Sequence, residues 1–291
     1  MTKAEGAKAL RHFTDGFNKT YRTLDPKLNA SYEAGALLAI DQAKVKSAHG
    51  MRPRGNPGYT PLTFKDTHFT VPEQAGWPKS FVADGLTNRK DPRTGALLRW
   101  FLVFSRDGID EQWRAVHLAT FKNNTAPQLK RDGKFAEAVP VSAASGLKVA
   151  PGKLSKTYAD YLTTGRGGAF APGADTDAWR RDRAKQANGV GSRIQVQDQP
   201  SDYPAFALRT EDGGALVFFS TYYHRQQTLS TGLTIHLPDR LRGVMQGPAK
   251  KTNRMAFTSV SGQAAKVPAE DAGGRIEILN RLDAITSAKP L

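Results

Sequence analysis

The side chains that could do acid–base or metal chemistry are the histidines, and their spacing argues against a metal site. No two of them stand in an H-x-x-x-H or HExxH arrangement, and no group has the spacing of a zinc centre. We therefore predict no metal ion. The six histidines are His12, His49, His68, His117, His224 and His236.

Other catalytic signatures are missing from the sequence as well. It contains no cysteine, which excludes a thiolate nucleophile and a cysteine metal site within it. No serine stands in a G-x-S-x-G elbow, and the glycine-rich run 165–173 lacks the lysine of a phosphate-binding loop. The acidic run 107–111 is better explained as a turn than as a calcium loop. We assign no catalytic residue and no cofactor, which favours a non-enzymatic protein.

Two of the histidines lie in aromatic strands and are candidates for a ligand cavity. The stretch 95–121 consists of two apolar runs around an Asp-Gly pair at 107–108, which predicts a β-hairpin with a tight turn. Side chains alternate along a strand, so Trp113, His117 and Phe121 are expected on one face. These three residues are candidate cavity-lining residues.

The second candidate histidine belongs to the run 215–228, where Tyr222 and His224 continue the strand face that begins with Phe218. A change from apolar to polar along a face is typical of a pocket mouth, and also of a strand that projects past its sheet. In a cavity, an imidazole near an acid could act as a base. The alternative to a cavity is that the aromatic rings belong to the hydrophobic core. Each histidine would then pack there and form a hydrogen bond with one backbone group.

The first half of the sequence predicts helices followed by antiparallel strands. Apolar residues recur at three- and four-residue steps over 4–24, which indicates an amphipathic helix, and a second helix is expected over 29–46. A loop rich in proline and glycine at 51–61 leads to strands near 63–71 and 79–87. These elements favour a curved sheet with the N-terminal helix across its concave face.

The second half repeats this order after a linker-like segment at 141–152, and the stretch 229–251 has no counterpart in the first half. A chain of 291 residues is long enough for two domains. We predict an α+β fold of two tandem cone-like domains, 1–140 and 153–291, each an N-terminal helix packed on a curved antiparallel sheet. A single fused domain is the alternative. Strands of the second half are expected near 192–198, 203–210, 214–228, 254–267 and 274–285.

The segments LSKTYADYLTTG (154–165), GGALVFFSTYYHRQQT (213–228) and GGRIEILNRLDAITSAKP (273–290) resemble a group of actinobacterial lipoproteins of unknown function. Each half is also similar to the cone-shaped fold of the nuclear transport factor 2-like and cystatin-like superfamilies. The resemblance implies an extracytoplasmic protein, anchored to the membrane through an N-terminal lipidation signal that is removed before Met1. A cytoplasmic location is the alternative.

The sequence is strongly basic, with 42 Lys and Arg against 27 Asp and Glu and a net charge of +15. This charge favours an anionic envelope polymer, lipid headgroups or an acidic protein as partner. No apolar run is long enough to span a membrane. We favour a non-enzymatic extracytoplasmic binding or interaction protein of unknown ligand. The alternatives are an enzyme or small-ligand binder that uses a cone cavity with His117 or His224, and a basic nucleic-acid-binding protein, which the short basic clusters support less well.

Overall fold

The computed structural model describes residues 1–122, 125–132, 135–141, 145–248 and 251–291. Part of the predicted linker, 142–144, lies outside them. Within the described residues the chain forms two large antiparallel sheets, a short two-stranded one and four α-helices. The predicted α+β class, in which a helix is followed by an antiparallel sheet twice along the chain, is confirmed.

Helix α1 (Lys3–Thr23) covers the first sheet. Thr2 and Glu5 form a capping box at its start, and Leu24 ends it in a left-handed conformation with a φ of 55°. The apolar stripe of α1 lies on one face of the sheet, whose strands follow the order β1-β2-β3-β4. These strands are β1 (Phe64–Thr70), β2 (Lys79–Lys90), β3 (Leu97–Arg106) and β4 (Arg114–Lys122).

Aromatic rings fill the space between α1 and the first sheet. The ring of Phe13 in α1 meets that of Phe104 in β3 edge-on, and Phe104 stacks on Phe81 of β2 with ring centroids 5.0 Å apart. All three side chains are fully buried. The space between α1 and the first sheet is therefore packed core around these rings, and they leave no room for a ligand there.

Helix α3 (Pro151–Thr164) covers the second sheet in the same manner. Its Leu154 and Tyr158 pack against Val217 and Phe219 of the sheet. A short pair of strands, β5 (Arg131–Asp132) and β6 (Phe135–Ala136), precedes this half, and a π-helical turn (Ala174–Ala178) leads into α4 (Trp179–Gln186).

The second sheet follows the strand order β12-β11-β10-β8-β7, with β9 beside the first part of β10. Every pairing in it is antiparallel. The strands are β7 (Asn188–Gly189), β8 (Ser192–Pro200), β9 (Phe206–Arg209), β10 (Ala215–Leu229), β11 (Arg254–Val267) and β12 (Glu277–Pro290).

The two sheets pack against each other through the faces that the helices leave uncovered. Leu216 and Phe218 of β10 pack with Val82, Phe101 and Phe121 of the first sheet in one buried cluster, which we call the inter-sheet core. Consecutive residues of β10 thus face α3 and the first sheet in turn, and both faces of the strand are apolar. The layers follow the order α1, first sheet, second sheet, α3.

Helix α2 (Gly35–Met51) begins later than the predicted 29–46, and it contacts both sheets. Its Ile40 packs on Val260 of β11, and its Ala43 packs on Leu241 of a 3₁₀ helix (Asp239–Val244) within the stretch that has no counterpart in the first half. The domain limits at 140 and 153 stay a prediction.

Two buried carboxyl groups lie near the start of α2, Glu33 just before the helix and Asp41 within it. Glu33 is fully buried and accepts a hydrogen bond of 2.9 Å from the Asn29 amide. Burial, reinforced by the nearby Asp41 carboxylate, raises the pKa of Glu33 well above its usual range. The amide of Ala34 donates to Ala115 of β4 over 2.9 Å. Because of these contacts, the segment that begins α2 is held against the first sheet.

The inter-sheet core makes a quantitative prediction. Phe218→Ala should lower the free energy of unfolding by about 3–5 kcal/mol, because it leaves a cavity between two sheets that pack on each other. Urea unfolding followed by tryptophan fluorescence measures the change. Phe135→Ala is the control, since Phe135 is 46% exposed and its loss should change stability by less than about 0.5 kcal/mol. Equal effects of the two substitutions would contradict the proposed packing.

Candidate functional site

The candidate site is a cleft between the two sheets, at the end where the inter-sheet core stops. Its volume is about 460 Å³, within the range of small-molecule sites. Strands β3 and β4 form one wall, the segment 203–207 forms the opposite wall, and the start of α2 closes one side. Most of the lining is apolar and includes Ala34, Ala36, Val103, Val116, Ala205 and Phe206.

A β-bulge in β4 decides which residues reach this cleft. Val103 of β3 pairs with His117, but the next residue, Phe104, pairs with Ala115, so Val116 is the extra residue. The strands are joined by a loop over 107–113, and the predicted tight turn at 107–108 is wrong.

The bulge places Trp113 on the face opposite to that of His117 and Phe121, so the predicted common face is wrong for Trp113. Trp113 packs in the core beneath α1, with its ring edge-on to Phe81 at a centroid distance of 4.8 Å. Phe121 lies further along β4 in the inter-sheet core, where its ring contacts that of Phe101. It does not line the cleft. Of these three residues the cleft is lined by His117.

His117 forms the floor of the cleft. Its Nε2 lies 3.0 Å from the carbonyl oxygen of Pro204, so Nε2 must carry the proton and donate it. Burial lowers the pKa of the imidazole to about 4, and the ring is neutral at physiological pH. In that tautomer Nδ1 is a hydrogen-bond acceptor. Among the described residues no side chain or backbone group pairs with Nδ1.

Tyr222 and His224 lie on the β10 face that is directed toward the first sheet and α2, but neither lines the cleft. Tyr222 donates to Asp202 over 2.7 Å, and its ring contacts that of Tyr203, which does line the cleft. The ring nitrogens of His224 lie 3.2 Å from Thr258 and from Gln199. Tyr222 therefore supports the cleft wall from behind, and His224 is held by neutral polar groups.

The sequence did not single out the polar residues at the mouth of the cleft. Ser80, Ser105 and Arg114 occupy paired positions on β2, β3 and β4, and they form one polar row across the sheet. Two residues deeper, Val82 and Val103 pair in the same way and His117 follows on β4. Each row takes its residues from three strands, so no single segment of the sequence displays the change from the polar row to the deeper one.

A second, more polar cavity of about 490 Å³ lies at the other end of the first sheet, beneath the segment 126–131. It is lined by Arg99, whose guanidinium donates to Asp84 over 2.5 Å and also pairs with Asp66. His68 lies 3.4 Å from both Arg99 and Asp84. This network satisfies the buried cation, and we assign it a structural role.

Two further findings concern the described part of the chain. It contains no group of three or more histidine, aspartate or glutamate side chains placed to hold a metal ion. None of its helices combines the length and the apolar character needed to cross a bilayer.

The fold and the cleft define a class: two helix-covered antiparallel sheets, packed face to face, with a cleft of small-molecule size between them. The chain belongs to the DUF8094 family, described as a domain of unknown function, whose model matches residues 1–290. An uncharacterized lipoprotein of Streptomyces coelicolor is 41% identical over 99% of this chain and 85% of its own length. An uncharacterized lipoprotein of Streptomyces avermitilis is 38% identical, also over 99% of this chain and 85% of its own length.

These relatives confirm the predicted resemblance to actinobacterial lipoproteins of unknown function. A second uncharacterized lipoprotein of Streptomyces coelicolor is more distant, at 23% identity over 95% of this chain and 79% of its own length. No solved structure matches the chain. The similarity of each half to the nuclear transport factor 2-like and cystatin-like folds stays a prediction.

The low pKa of His117 predicts a pH-dependent stability. Between pH 6.5 and about 4 the unfolded chain takes up a proton on this imidazole and the folded protein does not, so stability falls as the pH falls. The contribution of His117 is on the order of 3 kcal/mol, the free-energy equivalent of the pKa shift. In His117→Gln this contribution should disappear, because the amide still donates to Pro204 but does not titrate. Urea unfolding across this pH range measures the difference.

The control for this experiment is His49→Gln, because His49 is exposed at the end of α2. That variant should keep the pH dependence of the unmodified protein. If His117→Gln also keeps it, the imidazole is not held neutral in the folded state.

Proposed function

We propose that this protein is a non-enzymatic, extracytoplasmic binding protein that takes a small apolar or amphipathic molecule into the cleft between its sheets. The observation that carries the proposal is the cleft itself, which is largely apolar and contains a few polar groups at defined positions. This combination is characteristic of small-molecule binding sites.

The surroundings of His117 favour binding over acid–base catalysis. A histidine that acts as a base needs a pKa near the working pH, and burial lowers the pKa of His117 to about 4. Its Nε2 proton is donated to a backbone carbonyl, where a carboxylate would be expected in a catalytic pair. The role that fits these contacts is a fixed hydrogen-bond acceptor for a ligand.

The location outside the cytoplasm is supported by the relatives, which are described as uncharacterized lipoproteins. We propose the same location for this protein, with a lipid anchor at the membrane surface. Its net charge of +15 would then draw it toward anionic headgroups, envelope polymer or an acidic partner protein.

Filling the cleft tests the binding function. Ala205 lines the cleft and is partly buried, so Ala205→Trp should occupy the ligand volume. We expect the unmodified protein to bind the neutral apolar dye Nile red, and Ala205→Trp to weaken binding at least about tenfold, a loss of roughly 1.4 kcal/mol. Fluorescence titration measures the affinity.

Ala184→Trp is the matched control, because Ala184 is exposed on α4 and away from the cleft. It should bind Nile red as the unmodified protein does. Thermal unfolding of both variants checks that each is folded. A dye affinity that is equal in the two variants, or no dye binding by the unmodified protein, would contradict the proposed function.

The proposed attraction to anionic surfaces predicts a salt effect. Sedimentation with vesicles that contain anionic lipid should recover the protein at low ionic strength, and recovery should fall sharply as salt is raised above about 0.15 M. Vesicles made of zwitterionic lipid alone should recover little protein at any salt concentration. Recovery that is independent of salt, or equal for both vesicles, would rule out this role of the basic charge.

A further inference from the structure

We infer that the cleft selects a single-chain anionic amphiphile, of which a medium-chain carboxylate is the simplest example, with its charged head at Arg114. This inference rests on the proposed function and specifies the ligand class. It follows from the order of side chains along the cleft, which places a cation at the mouth and apolar groups with one neutral acceptor behind it.

Arg114 is the residue suited to hold the head. It is half-buried, lines the cleft, and makes no ion pair or side-chain hydrogen bond with any described residue. Its guanidinium nitrogens are not among the fully buried ones, so a ligand can reach them, and no described protein group competes for them. A carboxylate matches the planar fork of the guanidinium and can accept two hydrogen bonds from it.

The neighbours of Arg114 in the polar row are two serines. The strand register places Ser105 opposite Arg114 and Ser80 opposite Ser105. The Ser80 hydroxyl donates to Ser105 over 3.2 Å, and the Ser105 hydroxyl donates to the Lys79 carbonyl oxygen over 3.3 Å. A hydroxyl can rotate and donate to a carboxylate instead, so the serines are secondary partners for a head held by Arg114. One acidic residue, Asp107, also lines the mouth. It is exposed and forms no ion pair with Arg114, so solvent screens its repulsion of a bound anion.

The deeper part of the cleft suits an uncharged chain. Val103, Val116 and Phe206 line it, and His117 contributes a neutral ring whose open Nδ1 accepts hydrogen bonds. Beside His117 an anionic head would meet a hydrogen-bond acceptor and apolar walls, which do not compensate for its lost hydration. The head is therefore expected at the mouth and the chain inside, and the reverse orientation is disfavoured.

The experiment compares two ligands of equal chain length, decanoate and decanol, as competitors of Nile red. At neutral pH the unmodified protein should bind decanoate more tightly than decanol. In Arg114→Gln the affinity for decanoate should fall about tenfold or more, because a charge-assisted pair is lost, while the affinity for decanol and for Nile red stays within about twofold.

Arg193→Gln is the control for the change in net charge, because Arg193 is exposed on β8 and does not line the cleft. Its affinity for decanoate should match that of the unmodified protein. An equal loss in both variants would show that the effect comes from the general field of the protein and would overturn the assignment of Arg114.

The result also separates this inference from the proposed function. If Nile red and both competitors bind but decanoate has no advantage over decanol, the cleft binds ligands and the anionic selectivity is wrong. If neither the dye nor the competitors bind, the proposed function itself fails. Decanoate that binds equally well to Ala205→Trp would place its site outside the cleft.

Discussion

The structure depends on the burial of two sheets that are apolar on both faces. A sheet that is apolar on one face needs one cover, but β3 and β10 carry large apolar side chains on each side. Helices α1 and α3 cover the outer faces, and each sheet covers the inner face of the other. The cleft arises where this mutual cover ends, because residues on both sheets then face an open space rather than each other.

Much of this fold could be predicted from the sequence, since its local patterns are strong. The stripe of Leu10, Phe13 and Phe17 predicted α1 to within one residue at each end. The prediction succeeds because α1 is a regular helix, in which residues three and four positions apart lie on the same face. The residues that α2 packs against could not be predicted. Its partners, such as Val260 and Leu241, stand some 200 residues later in the chain, and periodicity carries no information about such distant contacts.

The candidate site was predicted in part. His117 lines the cleft, but Trp113 was grouped with it because the alternation rule assumes a strand without a bulge. Phe121 shares the face of His117 and lies further along β4, in the inter-sheet core. The extra residue, Val116, is an ordinary strand residue, and no glycine or proline marks the position. Arg114 was missed because its significance comes from the serines beside it on two other strands, which only the register of the sheet reveals.

The position of α2 has a consequence for how quickly a ligand could enter and leave. This helix packs on β4 of the first sheet and on β11 and β12 of the second, and Gly243 fits so closely against it that an added Cβ would lie 2.0 Å from the Lys46 carbonyl oxygen. A helix packed on both sheets in this way opposes hinge opening between them. Exchange would then proceed through side-chain motions at the entrance, on timescales far shorter than those of domain closure.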